Sequence, residues 1–312
     1  MKFSLSKQSS ESVGLDIDDR CLAAAVIDGG SVGRMASVDL ERGVVADGEV
    51  KDPEALTAAL KEMFTRFKLP RRVRLGVANQ QIVVRQLDMP MIEDANEQAA
   101  AVRFQAAEAI AMPLEDAVLD FQPIGVSETP EGTRQRLLVV AARESMISRL
   151  LAAVKGAGLK PNGIDLSAFA LVRILGDSRV PDPGVSEPAR VICHLGGITN
   201  LAIAAGPVCL FTRPLRTVWS SEDEHAVSSL AEEIRLSIEF HMAQPGACPV
   251  DRVVLSGPGA TDERLVAELG ATMALPVSVG EPLGAVSADA VPSTDDPYRY
   301  TVAAGLALGV ER

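Results

Sequence analysis

The segment Val13–Ile27, VGLDIDDRCLAAAVI, decides the fold. Two apolar runs flank the short polar turn Asp18-Asp19-Arg20, a pattern typical of a β-hairpin. A second strand, glycine turn and strand follow over 191–211, VICHLGGITNLAIAAGPVCLF. Because a similar strand-turn-strand segment begins each half, the sequence predicts a duplicated α/β architecture.

Composition excludes several classes of protein. The chain has 312 residues, 47% hydrophobic and 23% charged, which is ordinary for a globular protein of two modest domains. Its net charge of -12 repels phosphate backbones, so we expect no nucleic-acid partner. No apolar run reaches the roughly 20 residues of a membrane-spanning helix, so we expect no direct membrane insertion. The four cysteines lack CxxC spacing and are predicted to be buried free thiols in a reducing compartment.

The stretch from Leu87 to Phe121 carries the most specific signal. It contains LDMP at 87–90, AIAMPLE at 109–115 and VLDF at 118–121, and AGLKP follows at 157–161. In this order the segments resemble the PilM family of type IV pilus assembly proteins, which is related to FtsA.

The resemblance implies an α/β, actin-like (ribonuclease H-like) two-domain fold with an inserted small α+β subdomain in the first half. The implied division is 1–79 with 162–178 as the first domain, 80–161 as the small subdomain and 191–312 as the second domain with a shortened insertion. Between them, 179–190 is predicted to be a linker, because this region is rich in proline, glycine and charge. We expect helices over 94–112 and 145–155 in the small subdomain.

Actin-like folds hold a triphosphate between two hairpin turns. The resemblance implies that any residual nucleotide site uses Asp16, Asp165, Gly196, Gly197, Thr199, Gly257 and Gly259. Four positions depart from the family pattern: Asp18 replaces a glycine, Ala23 replaces a basic residue, His194 replaces an aspartate that would order magnesium, and Pro258 replaces another glycine. We therefore expect a degenerate site with no catalytic residue and no protein-bound metal, and little or no ATP hydrolysis.

The function implied by the resemblance is that of a cytoplasmic scaffold in type IV pilus assembly or a related type II secretion machine. Its expected partner is the N-terminal tail of a PilN-like inner-membrane protein, bound beside the small subdomain, which would hold the chain peripherally at the inner face of the cell membrane. The acidic chain suits a cationic tail. The alternative is an active ATPase of the pilus machine with ATP and magnesium as cofactors; self-association stays open.

Overall fold

The computed structural model describes residues 12–28, 31–130, 132–176, 188–244, 246–281 and 296–309. The first half is built on a five-stranded sheet in the order β10-β6-β1-β2-β3. Its strands are β1 (Val13–Ile17), β2 (Cys21–Asp28), β3 (Ser31–Asp39), β6 (Arg72–Val77) and β10 (Lys160–Leu166). As predicted, β1 and β2 form an antiparallel hairpin, while β6 runs parallel to β1.

Helix α1 (Pro53–Arg66) covers one face of this sheet. The Asp52 carboxylate caps it by accepting hydrogen bonds from the amides of Glu54 and Ala55, and Pro53 occupies the first turn, where no amide donor is needed. The helix buries an apolar stripe formed by Leu56, Leu60, Met63 and Phe64. A short hairpin, β4 (Val45–Ala46) and β5 (Glu49–Val50), precedes the helix.

A separate three-stranded sheet, in the order β7-β9-β8, interrupts the first half. It consists of β7 (Val83–Pro90), β8 (Ala117–Thr129) and β9 (Gly132–Arg143), and α2 (Ala95–Ala109) shares its apolar core. This unit supports the predicted small subdomain. The other predicted helix, α3 (Glu144–Gly156), does lie in the first half, but its assignment to the small subdomain is wrong. It packs against α1 and buries Leu150, Ala153 and Val154 in the core of the first sheet.

The second half repeats the plan with a sheet in the order β13-β12-β11-β14-β15. Its strands are β11 (Ala189–Leu195), β12 (Thr199–Ala205), β13 (Val208–Pro214), β14 (Val250–Ser256) and β15 (Val277–Val279). Again the opening hairpin is antiparallel and the next central strand, β14, is parallel to β11. Helices α5 (Ala226–Met242) and α6 (Glu263–Met273) complete this half.

The helix that ends each half packs mainly on the sheet of the other half. Helix α4 (Ser167–Leu175) ends the first half but packs on the second sheet, and α7 (Thr301–Ala307) ends the second half but packs on the first sheet. The helices also contact each other closely, since a Cβ on Gly305 would lie 2.1 Å from the carbonyl oxygen of Ala170. The two halves are therefore joined by reciprocal helix packing.

The remaining boundaries of the predicted domain division stay a prediction, and most of the predicted linker, 179–187, lies outside the described residues. Within those residues, no helix combines the length and apolar character needed to cross a membrane. Cys21, Cys193 and Cys209 are buried free thiols as predicted, whereas Cys248 is partly exposed.

Candidate functional site

The two opening hairpins face each other across a cleft. The turn after β1 supplies residues 18–20, and the turn after β11 supplies residues 196–198. The cleft is open to solvent, and the space between the turns, counted together with the adjoining open solvent, is about 540 Å³. Its polar lining includes Asp16, Asp18, Ser167, His194 and Asn200.

Asp16 lines the cleft at the end of β1. Loss of water around its carboxyl, reinforced by repulsion from Asp18, raises the pKa of Asp16 to about 8. At neutral pH this side chain is therefore mostly protonated. A magnesium ion would have to displace this proton, because it binds the deprotonated oxygen.

Asp18 reaches across the cleft to the second half. The Gly197 amide donates a hydrogen bond to Asp18 Oδ2 at 2.6 Å, and the Ile198 amide donates to Asp18 Oδ1 at 3.1 Å. The Asp19 amide adds a third hydrogen bond to Oδ1 at 2.7 Å. Desolvation raises the pKa of Asp18, while these three amides act in the opposite direction by stabilising its carboxylate.

Asp19 makes the equivalent contact inside the first half. Its carboxylate accepts hydrogen bonds from the amides of Asp47 at 2.8 Å and Gly48 at 3.1 Å, in the turn between β4 and β5. The side-chain amide of Asn79 donates to the Asp47 carbonyl on the same turn. Desolvation raises the pKa of Asp19 as well. The two aspartates of one hairpin turn thus bind two different backbone turns.

His194 sits behind the second turn. Its Nδ1 lies 3.4 Å from Ser256 Oγ, and the Ser256 hydroxyl donates to Thr301 Oγ1 at 3.1 Å. Burial lowers the pKa of His194 to about 4, so the imidazole is neutral at physiological pH. It supplies neither a positive charge for phosphate nor an oxygen ligand for magnesium.

Comparison with known proteins assigns the chain to a family. Residues 22–214, well over half of the chain, match the family described as type IV pilus assembly protein PilM. The chain belongs to the PilM family. No curated protein shows significant similarity to it.

Solved structures agree with the PilM assignment and with the actin-like fold. The structure of a PilM-PilN type IV pilus biogenesis complex is 25% identical to the chain, with a TM-score of 0.81, and the match covers 96% of this chain and 98% of that one. The ethanolamine utilization protein EutJ from Carboxydothermus hydrogenoformans is 14% identical, with a TM-score of 0.52, over 95% of this chain and 88% of that one. The cytoplasmic domain of EpsL, an inner-membrane component of the type II secretion system of Vibrio cholerae, is 13% identical with a TM-score of 0.52, over 96% and 94%. The last two share the fold alone.

The residues expected from the PilM resemblance to bind nucleotide do not all meet at the cleft. Asp16 lines it, and Gly196 and Gly197 form its second turn. Asp165 is not among the lining residues and instead accepts a hydrogen bond from Arg173 Nη2 at 2.8 Å. Thr199 is fully buried, and its hydroxyl has no hydrogen-bond partner within the part of the chain that the structure describes.

The turn that carries Gly257 and Gly259 is packed against protein. Gly257 has φ +85°, and a Cβ there would lie 2.8 Å from the backbone nitrogen of Leu195. A Cβ on Gly259 would lie 2.6 Å from Cδ1 of Trp219. Trp219 lies in the connection between β13 and α5. The sequence predicted a shortened insertion in this half but not the tryptophan that covers the turn.

In this conformation the cleft is arranged around its own aspartates. The two turn amides that face the cleft bind the Asp18 carboxylate, and burial together with repulsion from Asp18 raises the pKa of Asp16 to about 8. Among the described residues, no group of three or more histidine, cysteine, aspartate or glutamate side chains is placed to hold a metal ion.

Proposed function

We propose that the protein is a scaffold of type IV pilus assembly that binds the N-terminal tail of a PilN-like inner-membrane protein through its small subdomain, independently of ATP. The supporting observation is the match to the PilM-PilN complex structure, which extends over nearly all of both chains at 25% identity. A role in type II secretion is less well supported, because the EpsL likeness is one of fold alone. In this proposal the chain is cytoplasmic and reaches the membrane through its partner.

The small subdomain exposes large apolar side chains that such a tail could contact. Phe104 on α2 is 73% exposed, and Met91 and Val118 are 54% and 46% exposed. Aromatic side chains such as Phe104 often anchor a bound partner. The net charge of -12 also favours a partner rich in lysine and arginine, as cytoplasmic juxtamembrane tails are.

The hairpin turns support independence from ATP. The Asp18 carboxylate fills the amide pair of the second turn, and His194 stands where the family pattern has an aspartate. A scaffold that does not cycle through nucleotide states needs neither position in its nucleotide-binding form.

Calorimetry with a peptide of the PilN-like N-terminal segment tests the proposal. We expect binding that is unchanged by MgATP and that weakens as salt rises from about 0.05 to about 0.5 M, because opposite charges are screened. Phe104→Ala is expected to weaken binding by about tenfold or more, as hot-spot aromatic side chains do.

Leu236→Ala is the matched control, since Leu236 is an exposed apolar residue on α5 of the second half. Equal losses in both variants would contradict a site on the small subdomain. Binding that requires ATP would instead favour the alternative, an ATP-driven ATPase of the pilus machine.

A further inference from the structure

The turn between β11 and β12 directs two consecutive backbone amides at one carboxylate. Gly197 and Ile198 donate to the two oxygens of Asp18, at 2.6 and 3.1 Å. Successive amides that converge on one point form an anion-binding nest, which accepts carboxylate or phosphate oxygens alike. Here the anion in the nest belongs to the same chain.

The turn is shaped to admit this carboxylate. A Cβ on Gly197 would lie 2.5 Å from Asp18 Oδ1, and one on Gly196 would lie 2.9 Å from Oδ2. Side chains at either position would therefore collide with Asp18. Glycine at both positions leaves the amides accessible to an oxygen from the opposite hairpin.

The contact also joins distant parts of the chain. Asp18 belongs to the turn of the first sheet, and its two donors lie 179 and 180 positions later, in the turn of the second sheet. Hydrogen bonds from amides to a charged carboxylate are among the stronger ones in proteins, and removing the acceptor leaves partly buried donors unsatisfied. The carboxylate thus holds the two hairpin turns together.

We propose that the Asp18 carboxylate occupies the Gly197–Ile198 amide pair as a tethered ligand, in the place of a phosphate-type oxyanion, and that this contact holds the two hairpin turns together without nucleotide. This inference is independent of the peptide site on the small subdomain. It predicts that the site becomes available to a free oxyanion once the Asp18 carboxylate is removed.

Amide hydrogen exchange followed by NMR, combined with titration of inorganic pyrophosphate, tests the proposal on the full chain. In Asp18→Ala the Gly197 and Ile198 amides are expected to exchange about tenfold to a hundredfold faster than in the wild type. Pyrophosphate should bind this variant and restore the protection of both amides, while the wild type binds none at the same concentration. Sodium chloride of equal ionic strength should not replace pyrophosphate.

Asp19→Ala is the matched control, because it removes the neighbouring carboxylate, whose donors are Asp47 and Gly48 of the first half. It should leave the Gly197 and Ile198 amides protected and should not create a pyrophosphate site. Asp18→Asn keeps the side-chain shape but offers a weaker, neutral acceptor. If Asp18→Ala does not fold, Asp18→Asn tests the proposal in its place, and it is also expected to show faster exchange of both amides and binding of pyrophosphate.

Unchanged exchange at Gly197 and Ile198 in the Asp18 variants would overturn the proposed contact between the two turns. Pyrophosphate binding that is equal in wild type and variant, or absent from both, would overturn the anion site. Peptide binding measured on the same samples separates these outcomes from a failure of the scaffold function.

Discussion

At the residue scale, Asp18 shows how one substitution can change the role of a turn. From sequence, an added carboxylate at a phosphate turn predicts repulsion of phosphate. In the folded chain the same carboxylate accepts hydrogen bonds from the Gly197 and Ile198 amides. The sequence revealed the departure from the family pattern but not its binding partner, because the partner lies in the other half and no local pattern encodes that approach.

Asp16 allows a prediction about pH. Its pKa is raised from 3.8 to about 8, so the folded state binds this proton more tightly than the unfolded state does. The resulting contribution to stability is complete below about pH 4 and is lost as pH rises through about 8. Asp16→Asn carries no such proton, so its free energy of unfolding relative to wild type should increase by about 1 kcal/mol or more between pH 5 and pH 9.

Urea unfolding at several pH values measures this difference. Asp116→Asn, at an exposed position next to β8, is the matched control. The same pH trend in both variants would contradict a specific effect of Asp16.

At the element scale, the sequence predicted which segments fold but not always what they pack against. The Asp52 cap and the apolar stripe of α1 are local signals of this kind, since both lie within one short stretch of sequence. The amphipathic pattern of α3 predicted a helix equally well. However, the helix follows the strands of the small subdomain directly in the sequence, and it was therefore assigned to that subdomain. Its Leu150 and Val154 pack instead in the core beneath the first sheet, a long-range contact that periodicity does not specify.

The crossing of α4 and α7 leads to a prediction about Gly305. Alanine normally stabilises a helix relative to glycine by about 1 kcal/mol. At this position a Cβ would lie 2.1 Å from the Ala170 carbonyl oxygen, so the helices would have to separate. The separation would also distort the hydrogen bonds that Arg173 donates to the Gly305 carbonyl and to Asp165. We therefore expect Gly305→Ala to destabilise the protein by about 2 kcal/mol or more.

Chemical denaturation compares this variant with Gly125→Ala. A Cβ on Gly125 in β8 has no atom within 4 Å, so that substitution should change stability by only about 0.5 kcal/mol. Equal effects of the two substitutions would show that the α4–α7 contact tolerates a side chain.

At the scale of the whole molecule, two sheets of similar topology are joined by exchanged helices and by one carboxylate across the cleft. The sequence predicted this duplicated architecture, because each half begins with its own hairpin of apolar strands around a polar or glycine-rich turn. The candidate site was only partly predictable. Asp16, Gly196 and Gly197 lie at the cleft, but Asp165 pairs with Arg173, and Trp219 covers the turn of Gly257 and Gly259.

Binding of a nucleotide would change the stability of the whole chain. A ligand that binds only the folded state at a hundred times its dissociation constant adds about 2.7 kcal/mol of stability. For a protein of this size, that corresponds to a rise in Tm of several degrees. Because Asp18 already occupies the turn amides and Asp16 is protonated near neutral pH, we expect millimolar MgATP to leave the Tm of the wild type unchanged and ATP turnover at background. Thermal unfolding and phosphate release measure both quantities, with Asp16→Ala as a control that should also show neither effect. A rise of several degrees, or turnover that disappears in Asp16→Ala, would mean that nucleotide displaces Asp18 from the second turn, and the protein would then be an ATP-dependent member of the PilM family.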